Sequence, residues 1–260
     1  MSLQRQAMIK EIIKDRMRTK FRSYKKPETD NMPFHYRLLG KDRMALFSFI
    51  QSLNTTFGIS IYEPVAIALA RERFKIAETQ VKPFDKISSE AHQQIQIIMN
   101  ELTVANREPN KSTEIEEIRE VCQKGILNQI RLTKVDIWLE NHEGELFLFD
   151  LKTVKPNKSD FEKFKRTLLE WTAAELAREP GAVVNAMIGL PYNPYEPEPY
   201  KRWTLRGMFD LQYDILIAEE LWNFIGGEGT YKDLLKAFED AGIELRPEID
   251  NYFERFRENS

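Results

Sequence analysis

The sequence predicts an α/β (α+β) chain: a central mixed β-sheet flanked by helices, with helical segments at both ends. Three observations predict this. Helical periodicity dominates the first half of the chain. It gives way to two apolar, β-branched and aromatic stretches, 127–139 and 145–154, joined by Asn141-His142-Glu143-Gly144. A long helical stretch and a further apolar strand follow. The order is thus helices, then β-β-α-β, then helices, and a sheet wrapped by helices is the simplest way to bury such faces.

Each element has its own signal. Residues 5–22 read as an amphipathic helix, with Met8, Ile12, Ile13, Met17 and Phe21 at helical spacing. Residues 25–33 carry loop chemistry. Met44, Phe47 and Ile50 mark a helix over 41–53, a turn is expected at 54–60, and a second helix over 61–75 takes Pro64 in its first turn. Helices are expected over 88–105 and 114–123, the latter capped by Thr113 and Glu116 and ended by Gly125. The hairpin comes next, then a helix over 160–178 stopped by Pro180-Gly181, and a strand over 182–190. The proline-rich stretch 191–199 is an extended loop. Residues 209–224, 231–239 and 249–256 read as three closing helices.

Composition narrows the chemistry. Among 260 residues, 42% are hydrophobic and 30% charged, enough for a sizeable core beneath a charged surface. The single cysteine, Cys122, excludes an internal disulfide and a Cys₄ zinc site. The histidines, His35, His92 and His142, lack zinc-ligand spacing. A metal here is expected to be held by oxygen, which favours Mg²⁺, Mn²⁺ or Ca²⁺. No apolar run approaches the roughly 20 residues of a membrane span, and the N-terminus lacks the apolar stretch of a signal peptide, so a cytoplasmic protein is expected. A net charge of −3 makes no global case for nucleic acid. Locally, nine Lys and Arg between Arg5 and Lys26 face only Glu11 and Asp15. That segment suits phosphates, or is simply a solvated helix face.

The informative stretch is the hairpin. Alternate strand residues share a face, so Asp150 and Lys152 point one way while Phe147, Phe149 and Leu151 point into a core. A hairpin centred near Glu143 sets Asp136 opposite Asp150, and a centre half a residue earlier makes them diagonal neighbours, still within reach. Two opposed carboxylates repel unless a cation lies between them, and a hard divalent metal is the usual remedy. A Mg²⁺ held by Asp136, Asp150 and the backbone carbonyl of Leu151 would polarise a phosphodiester and activate water. Lys152 would orient that water and stabilise the developing charge. Asp150-Leu151-Lys152 is the only (D/E)-x-K triplet in the chain, and it ends an apolar strand. The competing reading is a surface Asp–Lys pair on a solvated hairpin.

Other groups are open to two readings. Glu63 opens a helix, where it suits either a metal or the helix dipole. Glu116 and Glu117 are weaker acidic candidates. Lys155, Lys158, Lys163, Lys165 and Arg166 follow the triplet and suit phosphates or an exposed helix face. Arg202 and Arg206, among Tyr192, Tyr195, Tyr200 and Trp203, suit DNA contacts or a packed loop cover.

Three stretches together resemble the TdeIII family of type II restriction endonucleases, within the PD-(D/E)xK nuclease superfamily. They are residues 31–40 running on to 52–55, the strand pair with Asp136, Asp150 and Lys152 continuing to Trp171, and residues 222–235. The resemblance implies a restriction-endonuclease-like core in a single domain spanning 1–260: a mainly helical part over 1–110, the nuclease core over 111–200 and a helical part over 201–260. It also implies Mg²⁺-dependent cleavage, with Mn²⁺ able to substitute, of double-stranded DNA at a short GGNCC-like palindrome. A homodimer and a cognate methyltransferase in a prokaryotic host complete the expectation. Val135 departs from the superfamily pattern, in which proline often precedes the first Asp. The alternatives are a repair or mobile-element nuclease of the same fold, a non-catalytic DNA-binding module, and a helical interaction protein.

Overall fold

The computed structural model describes residues 1–24, 32–152 and 160–254, with the backbone alone at Thr55, Thr56, Trp203 and Thr204. The chain divides into two compact units: Met1–Ala68 with Glu228–Ser260, and Leu69–Gly227.

The second unit holds a five-stranded mixed sheet. Its strands are β1 (Ile76–Val81), β4 (Val135–Glu140), β5 (Leu146–Leu151), β6 (Val184–Leu190) and β7 (Ile215–Ile217), in that spatial order. β1–β4 and β4–β5 are antiparallel, while β5–β6 and β6–β7 are parallel. The 141–144 turn forms as its residues dictate. Gly144 takes φ +85°, and the Asn141 side chain accepts from the N–H groups of Glu143 and Glu145 at 3.1 and 2.8 Å. The parallel β5–β6 pair needs a crossover, supplied by α7 (Phe161–Arg178). α7 buries Leu168, Leu169 and Trp171. On the other face, Phe147 and Phe149 pack against Phe224 of α8 (Glu219–Gly226), with ring centroids 5.0 and 5.8 Å apart. Apolar packing on both faces buries β5 along most of its length.

β2 (Lys86–Ser88) and β3 (Leu127–Gln129) form a separate two-stranded ribbon. The expected strand over 127–139 is therefore two strands in two sheets. α5 (Ser89–Thr103) and α6 (Lys111–Val121) pack beside α7. The cap of α6 is Asn110, not Thr113: the Asn110 side chain accepts from Thr113 N–H at 2.9 Å, and Glu114 reaches back to Asn110 N–H at 3.2 Å. The helix expected over 209–224 begins only at Glu219, because Ile215, Leu216 and Ile217 join the sheet as β7.

The first unit is helical: α1 (Leu3–Ser23), α2 (Pro33–Leu39), α3 (Lys41–Phe57), a π-helical turn over Gly58–Tyr62, the start of α4 (Glu63–Ala70), and α9 (Thr230–Glu254). The chain stays helical from α3 through the π-helical turn into α4, but its axis bends by 61° between Lys41–Asn54 and Gly58–Ala70, at the place of the expected turn. The two closing helices are one. α9 continues through Pro247 because Ala241 and Leu245 are buried in this unit, where α9 packs against α1. Phe21, Phe49 and Tyr252 form the aromatic centre of this unit, with centroids 5.0 to 5.5 Å apart. Among the described residues no single helix is long and apolar enough to cross a membrane.

Candidate active site

The hairpin register is the one a centre at Glu143 requires. Ile137 faces Phe149 and Trp138 faces Leu148, so one further step sets Asp136 against Asp150. Asp150 is buried near the end of β5, at 8% exposure. Lys152, two residues on, lies on the same face, and its ammonium bonds Asp150 Oδ1. The ammonium also stands 4.5 Å from the centroid of the Phe164 ring on α7, a cation–π contact that holds it over the carboxylates.

Asp136 is fixed from two sides. Its Oδ2 accepts from Leu151 N–H at 2.8 Å, and its Oδ1 accepts from the Gln80 side-chain amide at 3.0 Å. Burial, followed by the charge of Asp150, pushes its pKa up to about 6. The Leu151 N–H, Lys152 and Gln80 pull the other way. The second unit thus brings Asp136, Asp150 and Lys152 together. Gln80 is an addition that sequence reasoning missed, since neither its position in a short strand nor its neighbours mark it.

The remaining candidates fall elsewhere. Glu63 is buried on the first turn of α4, in the first unit. Glu116 pairs with Arg119 and Glu117 with Arg107. Lys155 and Lys158 lie outside the described residues. Arg202 braces its own loop: its guanidinium bonds the carbonyls of Leu211 and Ile215 and the carboxylate of Glu220. Arg206 is exposed. Tyr195 and Tyr200 stack edge-on at 5.6 Å within the proline-rich loop.

Lys165 overturns both readings given for it. It is neither a phosphate ligand nor an exposed helix residue. It is 1% exposed, with Glu114 at 2.5 Å and Asp214 at 2.7 Å. Lys111 joins this cluster 3.8 Å from Asp214 and donates to the carbonyls of Ala186 and Tyr213; burial lowers its pKa to about 8.

A hard divalent cation fits the hairpin site by its chemistry. Such ions keep several waters and bind through one or two carboxylates rather than a full protein cage. Two carboxylates are what the hairpin offers. Among the described residues no group of three or more His, Cys, Asp or Glu side chains could hold a metal ion.

A five-stranded mixed sheet flanked by helices is consistent with a restriction-endonuclease-like fold. The family model of the type II restriction endonuclease HinfI matches residues 1–242, and the chain belongs to that family. Among its relatives, type II restriction enzyme HgiEI of Herpetosiphon aurantiacus is 26% identical over 85% of this chain and 80% of its own. Type II restriction enzyme MjaII of Methanocaldococcus jannaschii is 31% identical over 79% of this chain and 61% of its own. Type II restriction enzyme HgiCII, also of Herpetosiphon aurantiacus, is 26% identical over 85% and 81%. The family is one of site-specific DNA endonucleases.

Proposed function

We propose that this chain is a PD-(D/E)xK nuclease that hydrolyses double-stranded DNA with Mg²⁺ at a short palindrome. The observation that carries the reading is the meeting of Asp136, Asp150 and Lys152 at the open end of the β4–β5 hairpin. Asp136, Asp150 and the Leu151 carbonyl would hold the ion, which when bound polarises the scissile phosphate and makes its water more acidic. Lys152 places its ammonium where an attacking water and the charge developing on the phosphoryl oxygens meet it. Asp150 and the Phe164 ring restrict that ammonium to one position. Lys155, Lys158 and Arg206 are retained as phosphate contacts, and Arg202 as the brace of the loop that presents Arg206. The resemblance to TdeIII favours a GGNCC-like site, with a methyltransferase protecting the host.

A palindrome has two-fold symmetry and each chain carries one such site, so a homodimer is the simplest reader. The first unit offers a suitable face. α2 buries none of its residues, Phe34 and Leu38 are 85% and 82% exposed, and Phe47 and Ile50 of α3 are exposed too. Apolar side chains grouped in this way are a common mark of an interaction surface.

One experiment tests the reading: digestion of a sequenced supercoiled plasmid with Mg²⁺ and mapping of the ends. Discrete fragments with a common palindrome, formed as linear DNA without accumulating nicked circle, are expected. Ends scattered without a common sequence, or activity undiminished by a chelator, would defeat it.

A further inference from the structure

β1 pairs with β4 through Thr79↔Ile137 and Val81↔Val135, which sets the intervening residue, Gln80, opposite Asp136. Gln80 holds φ +55° inside a strand. For a residue with a Cβ the left-handed region is strained, and Gly, Asn and Asp are its usual occupants. Such strain persists where the surroundings over-determine it, and it gathers at functional sites. Here the strained residue turns its amide onto the Asp136 carboxylate at 3.0 Å.

The consequence is geometric. One oxygen of Asp136 is tied to β1 through Gln80, and the other is tied to β5 through Leu151 N–H. A carboxylate has about four acceptor sites, so two neutral donors fix its plane and still leave each oxygen a lone pair. Lys152 meanwhile rests on Asp150. We propose that Gln80 is a positioning residue of the nuclease site, orienting the Asp136 carboxylate for a divalent cation shared with Asp150. The inference rests on the reading of Asp136 as a metal ligand. Residues that orient metal ligands are worth about 10–100-fold in metal affinity or activity when removed.

Gln80→Gly separates this role from a merely structural one. Glycine accepts the left-handed backbone without steric strain, so a residue that only shapes the strand is replaced with little loss. A positioning residue is not. The full chain is titrated with Mn²⁺ alone, followed by electron paramagnetic resonance, and is assayed for cleavage with kcat and KM separated. Gln80→Gly relieves the strained backbone but loses the hydrogen bond to Asp136, so its melting temperature should stay close to that of the wild type. It should weaken Mn²⁺ binding about 10–100-fold and lower kcat similarly, with KM for DNA nearly unchanged. Gln80→Asn, which tolerates the same backbone but falls a methylene short, is the second variant and should lose metal affinity in the same direction. Asp136→Asn is the control, and in its background Gln80→Gly should change Mn²⁺ binding no further. Wild-type Mn²⁺ affinity in Gln80→Gly, with weakened binding in Asp136→Asn, overturns the role of Gln80 alone. Wild-type affinity in Asp136→Asn overturns the metal-ligand reading and this inference with it.

Discussion

Replacing Asp136 by asparagine should make the metal-free protein more stable at neutral pH while removing its activity. The pKa of Asp136 is raised from 3.8 to about 6, first by burial and then by Asp150. Between these values the folded protein holds more protons than the unfolded chain, so stability falls as pH rises through that window. Above it the penalty is constant. Each pKa unit is worth about 1.4 kcal/mol, which caps the penalty at roughly 3 kcal/mol. Asparagine removes the charge but offers one acceptor oxygen where the carboxylate serves Gln80 and Leu151 with two. Losing or rearranging one hydrogen bond costs about 1 kcal/mol. A net gain of about 1–2 kcal/mol is left near pH 7.5, and none near pH 4. In a chain of this size that is a rise of very roughly 3–6 °C in melting temperature. Urea and thermal unfolding of both proteins at the two pH values, with a chelator present, measure it. Adding Mg²⁺ should then stabilise the wild type and not the variant, by about 2.7 kcal/mol at a hundredfold excess over Kd. A variant less stable than wild type near pH 7.5, or equally stabilised at both pH values, would refute the charge argument.

Two further outcomes follow from the same geometry. Lys152→Ala and Asp150→Ala should each lower kcat by at least about 10²-fold while leaving specific binding of uncut DNA measurable by gel shift, since binding is spread over many contacts; near-normal cutting by either would sink the mechanism. Lys165→Met leaves Glu114 and Asp214 buried with one cation too few and should cost about 3–5 kcal/mol, seen as a lowered urea midpoint; an unchanged midpoint would show that the cluster is not held together by charge.

What could be read from the residues depended on how local the cause was. The hairpin was legible because its turn chemistry, Asn141 to Gly144, and its alternation sit within a few residues of each other and fix the register. Asp136 and Asp150 followed from that register alone. β1 and β7 were not legible. Ile215-Leu216-Ile217 is too short to show a period, and only a place beside β6 makes it a strand. Thr113 with Glu116 fits a capping pattern as well as Asn110 does; which one caps α6 depends on where the chain enters the helix, and its entry is fixed by Lys111 N–H bonding Asp210, far along the chain. The acidic partners of the basic α1 were out of reach for the same reason. Lys10 and Lys14 meet Glu244, and Arg18 meets Glu248, more than two hundred residues away. A local count of charge cannot see such partners. Gln80 belongs to this class too, since its importance lies in a dihedral angle and in the strand across from it.

The two groups of charge in the second unit differ in a way that separates structure from function. Around Lys165 the buried charges balance, with Lys111 and Lys165 against Glu114 and Asp214, each carboxylate meeting a cation directly. Burial without that balance is costly, and the balance lets this cluster persist in the core. At the hairpin the balance fails among the described residues. The Lys152 ammonium bonds Asp150, and the hydrogen bonds to Asp136 come from two neutral groups, the Leu151 N–H and the Gln80 amide. Those donors favour the charged form of Asp136 but supply no countercharge, so burial and Asp150 still raise its pKa. A site built only for stability would be relieved by an asparagine or a second lysine at 136. Two carboxylates held in register, one of them oriented without being neutralised, have a use when a cation arrives from solution. That difference, rather than the count of acids, is what favours the hairpin over the buried cluster as the proposed place of chemistry.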